Sequence, residues 1–293
     1  MLSSTLTPSV LRQLEMLKLN ARRAFLGTRQ GGHLSIKRGH GIEFSDYRKY
    51  ELGDHPRYID WGVYARSDKL YVKRFQEEQD LPVLILLDTS ASMATPEEEG
   101  KWQRACDVVL ALAYISLMQQ DAVTVAALGR FITPRLTGAS SIHHLSRMLK
   151  ELEPQGQVDI APAVHQAVSR IRFPGVAIMV SDFLMDVAVI RESFNFMRAK
   201  NLDITALQLL GPSDYMPFDE SASIVAVDSE TGQEMGLSSS AAARERYASL
   251  LSRHLKEVAG YFSEARVQYS VADCTKDFSQ YIAQDLAATG LLQ

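Results

Sequence analysis

The sequence predicts an α/β protein with a doubly wound, mainly parallel sheet and a β-rich extension before it. Residues 81–87 form a continuous apolar run, as expected for a strand that is buried on both faces of a parallel sheet. Residues 175–182 form a second run of this kind, ending in a carboxylate. After residue 81, strand-like and helix-like stretches alternate, which is typical of a parallel sheet covered by helices.

The composition is that of a globular protein. The chain has 293 residues, of which 46% are hydrophobic and 23% charged, enough for one large domain with an appendage or for two domains. Residues 1–80 carry a net positive charge and residues 81–293 a net negative one, which suggests that the two parts differ in role or touch each other. The charge asymmetry is too mild to indicate nucleic-acid binding, and no nucleic-acid-binding motif is present.

No signal peptide and no membrane-spanning run are visible in the sequence. Cys106 and Cys274 lie far apart without a metal-type spacing, so we interpret them as buried, reduced thiols. A cytoplasmic location is therefore expected, with peripheral contact to a membrane left open.

The chain begins with a predicted amphipathic helix from Ser9 to about Phe25, with Thr7 or Ser9 as its N-cap. Residues 39–61 are dense in Gly, Asp, Arg and aromatic residues and show neither helical nor strand periodicity. Residues 69–75 alternate in character and predict a strand.

We interpret residues 39–75 as a structural cap or a partner surface, because the segment shows no nucleophile with a base. Arginine–carboxylate pairs and aromatic packing would hold such a cap together. The apolar residues expected to be buried are Ile42, Phe44, Ile59 and Trp61. The candidates for partner contacts are Arg48, Asp54, Arg57, Asp60 and Arg66.

Apolar periodicity and breakers predict the remaining elements. The predicted helices are 102–119, 142–152, 160–171, 187–200, 241–262 and 278–288. The predicted strands are 122–128 with 132–136 as a hairpin partner, 175–182, 203–210, 267–272, and a hairpin of 223–227 with the residues after 231–232.

Small polar residues follow the strand at 81–87. Asp88, Ser90 and Ser92 place one carboxylate and two hydroxyls at alternating positions of one loop. Open α/β sheets place ligand sites at this carboxyl end, and such oxygens suit a hard divalent cation. The pentapeptide alone also fits an ordinary turn or helix N-cap, so its position after a buried strand is what favours a metal site.

Several motifs in register resemble one bacterial family. They are Gly-x-Gly-x-Glu-Phe at 39–44, Asp-x-Arg-x-Tyr at 46–50, Gly-Asp at 53–54, Arg-x-Ile-Asp-Trp at 57–61, Ala-Arg at 65–66 and Leu-Leu-Asp-x-Ser-x-Ser-Met at 86–93. Their order is similar to that of the von Willebrand factor A-like family labelled domain of unknown function fifty-eight. Many of its members carry transmembrane helices, whereas this chain looks like a short soluble one.

The resemblance implies a von Willebrand factor A-like fold, which is Rossmann-like, and a metal-ion-dependent adhesion site. It implies that Asp182 completes this site with Asp88, Ser90 and Ser92, directly or through water. The family usually supplies a threonine hydroxyl where this chain has Val158. We therefore expect Mg²⁺, or Mn²⁺ or Ca²⁺, to bind weakly, unless Asp159 or water substitutes. Asp159 also fits the N-cap of the helix at 160–171.

The function implied by the resemblance is a non-enzymatic, metal-dependent protein-binding module. Its expected partners are a MoxR-type AAA+ ATPase and an unidentified client protein, acting together in chaperone-like remodelling or maturation. Two alternatives stay open: a metal-dependent hydrolase that uses the same oxygens, and a scaffold whose metal site has degenerated, as Val158 would indicate.

Overall fold

A computed structural model describes residues 5–20, 34–35, 43–78, 80–154, 156–172, 174–216, 224–227, 234–237 and 240–292. The chain divides into two units. One unit comprises residues up to 22 together with 82–293, and the other comprises residues 23–81. The first helix thus belongs to the larger unit, although the sequence predicted it as part of the extension in residues 1–80.

The described strands number eleven and are distributed over both units. In chain order they are β1 (Leu34–Ser35), β2 (Glu43–Lys49), β3 (Tyr71–Glu78), β4 (Pro82–Leu87), β5 (Ala122–Ala127), β6 (Phe131–Ile132), β7 (Gly175–Ser181), β8 (Leu202–Leu210), β9 (Ile224–Val227), β10 (Glu234–Leu237) and β11 (Gln268–Asp273).

Eight of the nine described α-helices belong to the larger unit. In chain order the nine are α1 (Pro8–Glu15), α2 (Trp61–Ser67), α3 (Lys101–Met118), α4 (Ser141–Lys150), α5 (Ile160–Val168), α6 (Val187–Ala199), α7 (Pro212–Tyr215), α8 (Ala241–Glu264) and α9 (Phe278–Gln280). A π-helical turn, Tyr281–Leu286, continues from α9.

The larger unit is built on a six-stranded, mostly parallel sheet with the strand order β11-β8-β7-β4-β5-β6. Strand β4 lies inside the sheet and runs parallel to both β5 and β7, as predicted. Strand β6 pairs antiparallel to β5 at one edge, which confirms the predicted hairpin. Strands β9 and β10 form the second predicted hairpin.

The chain reverses its direction of travel across the sheet at β4. After β4 it forms β5 on one side, and it then returns to form β7 on the other side. The carboxyl ends of β4 and β7 are therefore neighbours whose connecting segments leave in opposite directions. Open parallel sheets provide a crevice for a ligand at such a point.

Helices cover both faces of this sheet. Residues 83–87 of β4 are each at most 1% exposed, as an apolar run between two helical layers requires. On one face, alternate β4 residues join a core with side chains of α5, α6 and α8, centred on Phe183, Phe194 and Phe262. On the other, α3 packs against β4 and β5, with α4 and α1 against α3.

The N-terminal helix is shorter than predicted. Helix α1 ends at Glu15, and Leu19 instead forms an antiparallel bridge with Leu292 near the other end of the chain. Leu19 is 3% exposed, so its burial comes from this pairing and not from a helical face. Residues 21–25 of the predicted helix lie outside the described residues.

The smaller unit contains more regular structure than predicted. Strand β3 pairs antiparallel with β2 and with β1, and helix α2 begins at Trp61. Ile59 is 8% exposed and bridges to Val72, which confirms its predicted burial. Trp61 is 60% exposed, so its predicted burial is wrong.

Helix α2 explains that difference, because none of its residues is buried within the described part of the chain. Ile42 lies outside the described residues, and Phe44 is described without its side chain. Their burial therefore stays a prediction. The packing of the extension against the larger unit stays a prediction.

Candidate functional site

The loop after β4 folds back on its own carboxylate. Asp88 is fully buried, and its Oδ1 accepts a hydrogen bond from the backbone N–H of Ser90 at 2.9 Å. Its Oδ2 accepts one from the Ser181 hydroxyl at 2.6 Å. The Ser90 and Ser92 hydroxyl oxygens lie 3.0 Å apart. The three residues predicted from this loop are thus held together at the carboxyl end of β4.

Asp182 reaches the same place from β7. Its neighbour Ser181 binds Asp88, and Leu87 pairs with Val180 in the sheet, so the two loops leave adjacent strands side by side. Asp182 is 1% exposed, and its Oδ1 accepts a hydrogen bond from the N–H of Leu184 at 3.2 Å. The structure therefore brings together all four residues that were predicted as metal ligands.

Two further charged residues belong to this site, and neither was predicted from the sequence. The Nζ of Lys101, at the start of α3, lies 3.0 Å from both carboxylate oxygens of Asp214 and 3.3 Å from Oδ2 of Asp182. Lys101 is only 1% exposed and Asp214 9%. A lysine beside an apolar helical run was the available signal, but its partners lie far away in the sequence.

Burial and charge shift the proton affinities of these groups. Burial raises the pKa of Asp88 to about 6, and the negative charge of Asp182 adds to this effect. Burial also raises the pKa of Asp214, against the attraction of Lys101. Burial works against the charged form of Lys101, but Asp182 and Asp214 outweigh it and raise the lysine pKa. The site therefore holds an excess of buried negative charge.

The segment before α5 forms another wall of the site. The carbonyl oxygen of Gly156 accepts a hydrogen bond from the N–H of Ala91 at 3.2 Å, which ties this segment to the loop after β4. Val158 lies in this segment and lines the site with an apolar side chain, at the position where the family resemblance implies a threonine hydroxyl. Asp159 stands at the N-cap of α5, but its side chain makes no capping hydrogen bond.

These loops surround a pocket of about 1050 Å³. Its lining combines serine hydroxyls, carboxylates and apolar side chains, and none of the described residues in the lining is Lys, Arg or His. The lining residues are Ser90, Ser92, Thr95, Pro96, Gln157, Val158, Asp159, Ile160, Asp182, Leu184, Met185, Asp186, Val189, Ser213, Asp214 and Tyr247. An acidic pocket of this kind attracts cations.

The donor set suits a hard divalent cation. Carboxylate and hydroxyl oxygens are the ligands that Mg²⁺, Mn²⁺ and Ca²⁺ prefer. Among the described residues, no three His, Cys, Asp or Glu side chains are grouped so that they could hold a metal ion by themselves. With Asp88, Asp182 and Asp214 ionised, Lys101 leaves two negative charges, which a divalent ion would neutralise.

A family profile described as "Protein of unknown function DUF58" matches residues 46–257. The chain belongs to this family. The match includes the acidic loop after β4, Lys101, Asp182 and Asp214.

The DUF58 protein has relatives in mycobacteria. The uncharacterized protein Rv1480 of Mycobacterium tuberculosis is 27% identical over 266 residues, which cover 86% of this chain and 81% of the relative. The uncharacterized protein Mb1516 of Mycobacterium bovis matches with the same values, 27% over 266 residues.

Two solved structures resemble the DUF58 protein distantly. The conserved hypothetical protein BatB from Bacteroides thetaiotaomicron has a TM-score of 0.44 at 14% identity, covering 72% of this chain and 98% of that one. An aerotolerance-related membrane protein from Bacteroides fragilis has a TM-score of 0.44 at 15% identity, covering 71% of this chain and 99% of that one. None of the helices described for the DUF58 protein has the length and apolar character of a membrane span.

Three of the five residues predicted as a partner surface in this DUF58 protein make contacts within the smaller unit. Arg48 contacts Asp54 at 2.6 Å and Glu51 at 2.9 Å. Asp60 accepts hydrogen bonds from the N–H of Val63 at 3.0 Å and from the Tyr47 hydroxyl at 2.9 Å, and its carboxylate lies 3.1 Å from the Nζ of Lys73. These contacts give Arg48, Asp54 and Asp60 a role in holding the smaller unit together.

Two members of the predicted partner surface present charge to solvent. Arg57 lies in a short 3₁₀ turn, Pro56–Tyr58, and Arg66 lies in the last turn of α2. Both residues are exposed. The Nε of Arg66 donates a hydrogen bond to the carbonyl oxygen of Gly62 at 3.1 Å.

Proposed function

We propose that this DUF58 protein is a von Willebrand factor A-like, non-enzymatic protein-binding module that acts through a divalent cation. Mg²⁺, or Mn²⁺ or Ca²⁺, would be held by Asp88, Ser90, Ser92 and Asp182. The observation that carries the proposal is the meeting of the β4 and β7 loops where the chain reverses across the sheet, linked by the 2.6 Å hydrogen bond from Ser181 to Asp88.

The pocket beside this site supports a cation-dependent mode of binding. Its described lining contains carboxylates but no Lys, Arg or His, so it would repel a carboxylate of a partner protein. When bound, a divalent cation supplies an electrophilic position that a partner's Asp or Glu can occupy. Partner binding should therefore depend on the metal.

The partners that we propose are a MoxR-type AAA+ ATPase and a client protein of unidentified nature, in chaperone-like remodelling or maturation. Support for them comes from the resemblance of the motifs at 39–93. The exposed Arg57 and Arg66 are candidates for contacts with such a partner.

One alternative has support from two observations at the site. Val158 lines the pocket with an apolar side chain, and Lys101 already contacts Asp182. Both features fit a scaffold that binds its partner without metal. The hydrolase alternative has less support, because the described pocket lining contains no histidine to act as a base for Ser90 or Ser92.

A binding measurement tests the proposal. The purified MoxR-type ATPase of the same organism is passed over the immobilised chain with Mg²⁺ and then with EDTA, for wild type and Asp88→Asn. Asp277→Asn serves as the control, because Asp277 caps α9 through the N–H of Gln280 at 3.0 Å and lies outside the pocket lining.

We expect binding by wild type and Asp277→Asn in Mg²⁺ only, and loss of binding for Asp88→Asn. Equal binding in EDTA would overturn the metal dependence in favour of the scaffold. Absence of binding by every variant would overturn the choice of partner.

A further inference from the structure

Lys101 is the feature of this site that the proposed metal-binding mode leaves unexplained. Its ammonium group is buried and bridges two loops, with the Nζ 3.3 Å from Oδ2 of Asp182 and 3.0 Å from both oxygens of Asp214. Asp182 is also a proposed metal ligand. The lysine and a divalent ion would thus draw on the same carboxylate.

The surroundings of Lys101 hold it in this position. Asp214 is fixed by a 2.8 Å hydrogen bond from the N–H of Gly211 to its Oδ2, and by the Tyr247 hydroxyl, which donates to its backbone carbonyl oxygen at 2.7 Å. The same loop is anchored by Glu99, whose Oε1 accepts hydrogen bonds from the N–H and hydroxyl of Ser213 at 2.7 and 2.6 Å. Lys101 therefore meets a carboxylate that is already positioned.

The charges that face Lys101 are predominantly negative. Asp182 and Asp214 contact its ammonium group, Asp88 interacts with Asp182, and Asp159 and Asp186 line the neighbouring pocket. Without the ammonium group the buried carboxylates would repel one another in a poorly solvated site, which is costly. The lysine thus stabilises the site when no metal is bound.

We propose that Lys101 is a built-in counter-cation that competes with the divalent ion for Asp182 and sets the affinity of the site. This inference rests on the proposed function, because it assigns a role at the same site. Lys101 keeps the metal-free site folded, and it weakens metal binding by repelling the ion and by occupying one oxygen of its ligand.

Two substitutions at the site should act in opposite directions. Lys101→Met keeps an unbranched side chain but removes the charge, so Mg²⁺ should bind about tenfold more tightly because one buried repulsive charge is gone. Asp214→Asn removes one partner of Lys101 and one negative charge, so Mg²⁺ should bind several-fold more weakly. A lysine with only a structural role would give weaker binding in both variants.

One control keeps the positive charge at residue 101, and the other makes the same lysine-to-methionine substitution at a different place. Lys101→Arg keeps the positive charge at the site and should stay within about threefold of the wild-type affinity. Lys276→Met removes a lysine that is half exposed and lies 3.5 Å from Asp285, so it should leave Mg²⁺ binding unchanged. Calorimetric titration of Mg²⁺ measures all five proteins.

Thermal unfolding gives a second readout that needs no partner. In EDTA, Lys101→Met should unfold at a lower temperature than wild type, because Asp182 and Asp214 lose their counter-charge. Added Mg²⁺ should raise its midpoint more than it raises that of wild type. If Lys101→Met does not fold, Lys101→Gln takes its place, since it also removes the charge, and Mg²⁺ binding no tighter than that of wild type would overturn the inference.

The outcomes separate this inference from the proposed function. Wild-type Mg²⁺ binding that is lost in Asp88→Asn but unchanged or weaker in Lys101→Met overturns the role of Lys101 and leaves the metal site standing. Absence of Mg²⁺ binding by wild type and by Lys101→Met overturns both. Tighter binding by Lys101→Met with weaker binding by Asp214→Asn supports the inference.

Discussion

Val158 packs over Gly129: its Cγ1 lies 3.2 Å from the position that a β-carbon at residue 129 would occupy. Gly129 has a φ of +73° and follows β5, and Val158 precedes α5 and lines the pocket. This contact holds the Val158 side chain against the sheet end where the proposed metal ligands meet. The family usually has a threonine where this chain has Val158, so a substitution at residue 158 tests the effect of that hydroxyl on metal binding.

Val158→Thr should strengthen Mg²⁺ binding several-fold if its hydroxyl reaches the proposed ion, because Val158 lines the same pocket as Ser90 and Ser92. Val158→Ala is the control, since it removes side-chain atoms without adding an oxygen, and its affinity should equal that of wild type. Calorimetric titration measures both. Equal affinities for Val158→Thr and Val158→Ala would mean that residue 158 does not face the ion.

Gly129→Ala should destabilise the larger unit more than Gly138→Ala does. Both glycines have a φ of +73°, so each alanine costs about 1–2 kcal/mol of backbone strain. Only at residue 129 does the new β-carbon meet Val158, whereas nothing lies within 4 Å at residue 138. Urea unfolding compares the two free energies, and equal losses would show that the contact with Val158 relaxes without cost.

Leu86→Ala should lower the free energy of unfolding by about 2–5 kcal/mol. Leu86 is fully buried in β4 between two parallel strands, so truncation leaves a cavity that the sheet cannot close. Leu250→Ala on α8 is the control, because Leu250 is 46% exposed. A loss below about 1 kcal/mol for Leu86→Ala in urea unfolding would contradict the central position of β4.

Asp60→Asn should destabilise the smaller unit in a pH-dependent way. The N–H of Val63, the Tyr47 hydroxyl and Lys73 lower the pKa of Asp60 from 3.8 to about 2. A pKa that is lower in the folded state contributes stability above pH 3.8, and this contribution is lost as the pH falls through about 2. The difference between wild type and Asp60→Asn should therefore shrink with acidification.

The control for Asp60 is Asp68→Asn, at the other end of α2, where φ is +52° and asparagine is tolerated. Urea unfolding of the three proteins over a pH series measures the effect. A difference between wild type and Asp60→Asn that stays constant from neutral pH to about pH 2 would contradict the assigned contacts.

The central sheet and the acidic loop could be predicted because their signals are local. Strand β4 is an apolar run that is followed by Asp88, Ser90 and Ser92. A strand that is apolar on both faces fits the interior of a parallel sheet and few other positions. Asp182 stands at the end of the second apolar strand, and the family resemblance is what assigned it to the site.

The parts that were missed depend on contacts between distant residues. Lys101 and Asp214 are 113 positions apart, and neither has a local pattern that reveals the other. Leu19 fits a helical face in the sequence, but its bridge to Leu292 withdraws it from α1. Trp61 was expected to be buried as an apolar residue, whereas it begins a helix that lies exposed.

Calorimetric titration of Mg²⁺ into wild type, Asp88→Asn and Asp186→Asn is a direct test of a metal site at the end of β4. Asp186 lines the same pocket but caps α6, with its Oδ1 accepting from the N–H of Ala188 at 2.8 Å, so its loss should leave Mg²⁺ binding intact. The account predicts saturable heat for wild type and Asp186→Asn, and none for a folded Asp88→Asn. Equal heats for wild type and Asp88→Asn would contradict a metal site at the end of β4.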